Sequence, residues 1–184
     1  MLYSRIHVLG APGSGVSTLG QNLADRFGMS AFDTDDYHWF TSDPLPYKRK
    51  RNVEHRMKLL QEDLEITPRW VLSGALCGWG DALIPQFDLV VYLWSPVETR
   101  LQRIRERETA RYGADRLAEG GDLHVVYHKF LDWAACYDTA EGLRSRTMEL
   151  AWLTPLTCKV VMVEDELTKE KLVEWVVEQV AISR

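Results

Sequence analysis

Short apolar runs alternate with amphipathic stretches along the chain, and that alternation marks an α/β fold built on a parallel sheet. Residues 6–9, 30–32, 70–72, 89–94 and 159–163 read as five strands. Each is near-continuously apolar at its centre, as expected where helices cover both faces of a sheet. Between the strands the apolar spacing turns helical. Leu19, Leu23 and Phe27 recur every fourth residue, and Gly28 supplies a left-handed stop. Val53, Met57, Leu60 and Leu64 mark a second helix, bounded by Pro68. Ser95-Pro96-Val97-Glu98 joins a capping box to a proline at the first helical position, and the helix it opens fades at Tyr112-Gly113. Leu123, Tyr127, Phe130, Ala134 and Tyr137 form a stripe after the polar stretch 113–122, and Leu172, Val173, Val176 and Val180 close the chain.

Composition narrows the picture. Hydrophobic residues make up 46% and charged residues 27% of 184 positions, which excludes a disordered chain, a collagen repeat or a disulfide scaffold and predicts one domain over 1–184. The net charge of -5 argues against nucleic acid held by bulk positive potential, so the expected partner is a small molecule. Cys77, Cys136 and Cys158 are odd in number and widely spaced, which indicates neither a disulfide framework nor a zinc site and suits a reducing cytoplasm. The first apolar run is broken by Gly10 and Pro12, too short for a signal-peptide core or a membrane span, so no membrane partner is expected. His124 and His128 share a helix face at i, i+4 without a third ligand, and zinc is discounted there.

The first strand runs into Gly10-Ala11-Pro12-Gly13-Ser14-Gly15-Val16-Ser17-Thr18. This is G-x-x-x-x-G-K-[ST] at every position but the lysine, which is Val16. Strand, glycine loop and helix stand in the order that aims backbone N–H groups at a phosphate. Ser17 then places its hydroxyl on Mg²⁺. The bland reading is a tight strand-to-helix turn; the following Ser-Thr and the amphipathic helix favour phosphate. Loss of the lysine removes a charge-assisted contact of ~1.5–3 kcal/mol, so either another cation replaces it or catalysis is weak.

These residues resemble the adenylate-kinase-like group of P-loop small-molecule kinases, and more narrowly a bacterial subgroup whose loop reads G-x-x-G-S-G-x-[ST]-T-L without lysine. The other markers are Phe32-Asp33-Thr34-Asp35-Asp36-Tyr37, the segment from Ser73-Gly74 to Asp81, and the arginine-rich helix after the fourth strand. The resemblance implies a three-layer P-loop fold with a five-stranded parallel sheet, ATP and Mg²⁺ as donor and cofactor, a small lid at about 108–125 and an acceptor-binding region at about 36–60. The chain is also similar to shikimate kinase. Its D-x-D segment, carried over, makes Asp33 metal-side together with Ser17 and makes Asp35 acceptor-side.

Asp33 and Asp35, two apart on an extended segment, point the same way, and phosphoryl transfer needs one carboxylate near the metal and a group on the acceptor hydroxyl. The competing reading is an acidic turn capping the next helix, which suits Asp36 best. Arg100, Arg103, Arg107 and Arg111 line one helix face toward the lid; Arg107 and then Arg111 are the expected phosphate clamps, against a solvated salt-bridged face. Lys48-Arg49-Lys50-Arg51 opposes a helix dipole unless an anion is present, so Lys50 and Arg51, with Ser73 and Gly74 at the end of the third strand, are acceptor candidates beside a plain solvated patch. Arg56 could join them, and Tyr37, Trp39 and Trp79 could wall the acceptor. The first functional expectation is ATP-dependent phosphoryl transfer to a small metabolite or nucleotide-like acceptor. A non-catalytic nucleotide-binding module and a transferase using a sulfated nucleotide are the alternatives.

Overall fold

The computed structural model describes residues 3–40, 47–142, 144–164 and 168–181; Met1, Leu2, residues 41–46 of the acceptor-binding region and the Val180 side chain lie outside it. Strands β1 (Arg5–Gly10), β2 (Ser30–Asp33), β3 (Trp70–Ser73), β4 (Leu89–Leu93) and β5 (Lys159–Val163) form one parallel sheet in the order β2-β3-β1-β4-β5. The described helices are α1 (Val16–Phe27), α2 (Thr34–His38), α3 (Val53–Glu65), α4 (Val97–Tyr112), α5 (Ala114–Leu117), α6 (His124–Ala135), α7 (Arg146–Leu153) and α8 (Lys169–Ala181), with a 3₁₀ segment at Asp81–Gln86.

Alternation along the strands sends two sets of side chains to opposite faces. Ile6, Val8, Val71, Leu89 and Val91 pack with Leu19 and Leu23 of α1 and Val176 of α8. Leu9, Trp70, Leu72, Val90 and Tyr92 pack with Tyr37 of α2, Leu60 and Leu64 of α3, and Trp152 and Leu153 of α7. A third cluster, Ile104 with Leu131 and Ala134, joins α4 to α6. The sheet is thus the middle of three layers. At the edge, β2 leaves Ser30 and Ala31 exposed, so its apolar reading holds for Phe32 but not for full burial.

All five strands and the five longer helices lie where the apolar spacing puts them, and Gly28 closes α1 at φ 60°. The start of α4 differs. Pro96 occupies the cap position in extended backbone (φ -51°, ψ 147°) and no side chain caps the helix. Ser95 is buried, and its carbonyl accepts from Arg100 Nε at 2.8 Å, so the turn before α4 is held by a buried arginine on that carbonyl and not by a capping hydroxyl. The short helices α2, α5 and α7 and the 3₁₀ segment carry too few turns to show a stripe.

His7 sits fully buried in β1, with Nδ1 2.9 Å from the Leu72 carbonyl oxygen and the ring stacked on Phe87 at 5.0 Å. Burial holds its pKa down at about 4, against 6.5 for the free side chain. The unfolded chain therefore binds a proton that the folded chain refuses. Stability is fully present above pH 6.5 and is lost as pH falls toward 4, by about 2 kcal/mol at pH 5 from this residue. Urea unfolding at pH 7.5 and pH 5 is expected to show that loss, and His7→Leu to flatten it.

Candidate active site

The loop after β1 is held by its backbone. Ala11 N–H donates to the Leu93 carbonyl at 2.9 Å, and a Cβ on Gly10 would lie 1.9 Å from that oxygen. Gly13 (φ 85°) lies over the Arg100 backbone, 2.6 Å from its carbonyl oxygen to a built Cβ. Gly15 (φ 99°) caps α1 with no side-chain hydrogen bond and with open space where a Cβ would stand. The first N–H groups of α1 are thus left without a side-chain cap, facing space that a phosphate can enter. Ser14 Oγ is buried and unpartnered among the described residues. Val16 packs against the α1–α8 side of the core, so the position that usually carries a lysine is spent on packing.

Asp33 and Asp35 face different neighbours. Asp33 Oδ2 accepts from Ser17 Oγ at 2.6 Å, which joins the end of β2 to the start of α1. Asp33 Oδ1 accepts from Asp35 N–H at 3.0 Å, so Asp33, not Asp36, is the residue that caps the next helix. The extended D-x-D geometry does not occur, because Thr34 and Asp35 already lie in α2. Oxygen donors from Ser17 and Asp33 at the loop mouth suit a hard cation such as Mg²⁺. Burial pushes the Asp35 carboxyl above the usual range; Arg144 opposes the shift and Asp33 adds to it.

Next to Asp35, around His38, stands a cluster of cations and aromatic rings. Arg56 is 8% exposed; its Nη1 donates to His38 Nδ1 at 2.6 Å, its guanidinium lies 4.6 Å over Trp79, and its Nε is unpartnered. His38 lies 4.8 Å from Trp39 and is kept neutral, its pKa lowered to about 4 by burial and then by Arg56, Lys50 and Arg144. Arg144 holds left-handed backbone at φ 64°, which costs roughly 1–2 kcal/mol in a residue with a side chain, and its Nε is buried without a partner. Among the described residues the Nε groups of Arg56 and Arg144 are thus both buried without a hydrogen-bond partner, Arg56 beside His38 and Arg144 acting on Asp35 and His38.

No family model matches the sequence. The uncharacterized protein YqaC of Bacillus subtilis (strain 168) is 44% identical over 174 residues, covering 94% of this chain and 95% of that one. A shikimate kinase of Neisseria meningitidis serogroup C is 29% identical over 161 residues, covering 77% and 95%. The structure of shikimate kinase from Acinetobacter baumannii in complex with shikimate superposes with a TM-score of 0.59 at 17% identity, over 99% of this chain and 95% of that chain. The chain belongs with YqaC, it has the P-loop NTPase fold, and shikimate and cytidylate kinases, which are P-loop small-molecule kinases, are among its homologues.

On the arginine helix, Arg100, Arg107 and Arg111 have different surroundings. Arg100 is wholly buried: Nη2 pairs with Asp138 at 2.5 Å, and Nη1 donates to the Ala134 carbonyl at 3.0 Å and reaches the Pro12 carbonyl at 3.4 Å. Periodicity set it in an exposed stripe, whereas the structure uses it to pin loop, α4 and α6 together. Arg107 pairs with Glu108 at 2.7 Å and lies 5.8 Å over Phe130. Arg111 Nη1 donates to Tyr47 Oη at 2.9 Å, on the acceptor side and not toward the loop. The basic run is also divided. Arg51 Nη1 donates to the carbonyls of Asp36 and Tyr37 at 2.7 and 3.0 Å and to that of Trp39, so this side chain fastens the segment. Asn52 caps α3 through His55 N–H at 2.7 Å, so the helix dipole there requires no bound anion. Ser73 is buried against Gly20 of α1, and Gly74 (φ 105°) lies against Thr34; both serve packing at the end of β3 instead of facing the cluster. Lys50 remains exposed, its Nζ 5.3 Å over Trp39.

Arg144, His38 and Tyr47 escaped the sequence reading. Arg144 sits in an irregular corner between α6 and α7 with no motif, and the signal that marks it is its backbone angle. The cysteines are free, and among the described residues no helix is long and apolar enough to cross a membrane.

Proposed function

We propose that this chain transfers the γ-phosphoryl group of ATP to a hydroxyl of a small anionic acceptor. The tie between Asp33 and the phosphate loop carries the reading: Asp33 Oδ2 lies 2.6 Å from Ser17 Oγ, while the half-buried Asp35 has Arg144, Trp39 and Tyr47 for neighbours. Ser17 and Asp33 hold Mg²⁺, which supplies charge neutralisation on the phosphates. The loop N–H groups cradle the donor. Asp35, with its raised pKa, orients the acceptor hydroxyl and takes its proton, while Arg56 and Arg144 hold the acceptor's anionic group. Arg107, half-exposed at 51% of its side chain, is the cation proposed to supply the charge that Val16 lacks, when the lid at about 108–125 closes. The protein acts in the cytoplasm.

ATP with Mg²⁺ at 100 times Kd is expected to stabilise the fold by ~2.7 kcal/mol, a rise in Tm of about 5–10 °C. No stabilisation at millimolar nucleotide overturns the reading. The packed Val16 favours a second reading, a nucleotide-binding protein without turnover. ADP release with an acceptor panel that begins with shikimate separates the two.

A further inference from the structure

Among the described residues, two other than glycine hold left-handed backbone, Tyr47 (φ 55°) and Arg144 (φ 64°), and each interacts electrostatically with Asp35. Strained residues of this kind gather at ligand clamps. Arg144 belongs to the anion site proposed above, with Arg56. Tyr47 belongs to another group. Its Oη accepts from Arg111 Nη1 at 2.9 Å, its ring meets Trp39 edge-on at 5.8 Å, and Lys50 Nζ lies 5.3 Å over the same indole. A phenol oxygen that accepts from arginine keeps its own O–H free to donate. Lys50 and Tyr47 thus set an ammonium and a phenol against one indole, and Arg111 adds a guanidinium fork at the phenol oxygen.

The charge balance points the same way. Lys50, Arg56, Arg111 and Arg144 lie in this part of the molecule, and the carboxylates near them other than Asp35 have partners or face outward: Asp33 is spent on Ser17, Asp63 accepts from Tyr37 Oη at 2.7 Å, Asp36 is exposed beside Arg51, Glu149 near Arg144 accepts from Tyr137 Oη at 2.6 Å, and Glu108 near Arg111 pairs with Arg107 at 2.7 Å.

We infer that Lys50, Tyr47 and Arg111 form a second anion subsite, so that the acceptor is a hydroxyl compound already carrying a phosphate monoester. This rests on the kinase reading and names the class of its acceptor. Three donors of different shape suit the tetrahedral oxygens of a phosphate, and the arginine fork binds two of them at once.

Inorganic phosphate is the probe, added to protein whose loop is filled by a non-hydrolysable ATP analogue with Mg²⁺. Phosphate is expected to raise Tm saturably, and its apparent affinity to fall at least tenfold in Arg111→Gln and in Tyr47→Phe. Arg111 is exposed and Tyr47→Phe keeps the ring against Trp39, so both variants test the subsite without emptying a core. Phosphate on Arg56 and Arg144 alone would leave its affinity unchanged in these variants. That result, or no saturable effect of phosphate on the loaded wild type, overturns the second subsite. Binding of the ATP analogue is measured separately; its failure would count against the kinase reading itself.

Discussion

Asp35→Asn is expected to lower turnover by ~10²–10⁴-fold while leaving the affinity for ATP and Mg²⁺ within about twofold. The loop's donors are backbone groups and Ser17, which pairs with Asp33 and not with Asp35, so the triphosphate should not register its loss. Asparagine keeps the size of the side chain and removes its capacity to take a proton. The pH profile gives a second readout. Burial raises the Asp35 pKa, so kcat/KM should fall on acidification at a pH above the ordinary carboxylate range, as the folded enzyme's base becomes protonated. Single-turnover ADP release and nucleotide titration, run side by side, check the separation. Equal turnover in wild type and Asp35→Asn, with Asp33→Asn inactive, would move the acceptor role to Asp33.

The second large effect is structural. Gly10→Ala should lower stability by roughly 3 kcal/mol or more, a fall in Tm on the order of 10 °C, and should abolish stabilisation by ATP. The added Cβ would stand 1.9 Å from the Leu93 carbonyl oxygen and 2.7 Å from the Leu93 carbonyl carbon and nitrogen. All three are backbone atoms of a central strand, so relief requires the loop to leave the sheet. Gly28→Ala is the control: its φ of 60° carries the same kind of backbone strain, but nothing lies within 4 Å of its built Cβ. It should cost about 1 kcal/mol and leave ATP binding intact. Thermal melts of both variants with and without nucleotide distinguish loss of the loop from loss of a glycine.

The contrast between these two sites shows what a sequence reveals and what it hides. The glycine loop, the five strands and the helix stripes are local patterns, set by spacing within a few residues, and they read correctly. The order β2-β3-β1-β4-β5 is not local, because it depends on which face each crossover takes. Ser17 and Asp33 were legible since each ends an element with a strong pattern. Arg144 was not: it reaches Asp35 from the other end of the chain, through a corner whose conformation no periodicity describes. Arg100 shows a different limit. Its spacing correctly gave the helix face, but spacing carries no depth, and α6 with Asp138 covers that part of the face.

That buried guanidinium also acts as a fulcrum. One side chain grips the end of β4 through Ser95, the loop through Pro12 and the last turn of α6 through Ala134. The two ends of α6 are therefore unequal. Its C-terminal end shares an anchor with the nucleotide loop, while its N-terminal end follows Gly120 and Gly121 and meets α5 through His124 and the Leu117 carbonyl at 3.0 Å. A lid closure of the kind proposed above that moved α6 would thus pivot on its C-terminal end and shift Phe130 beneath Arg107 of α4, so the arc of the ring on which that cation rests would be set by Arg100.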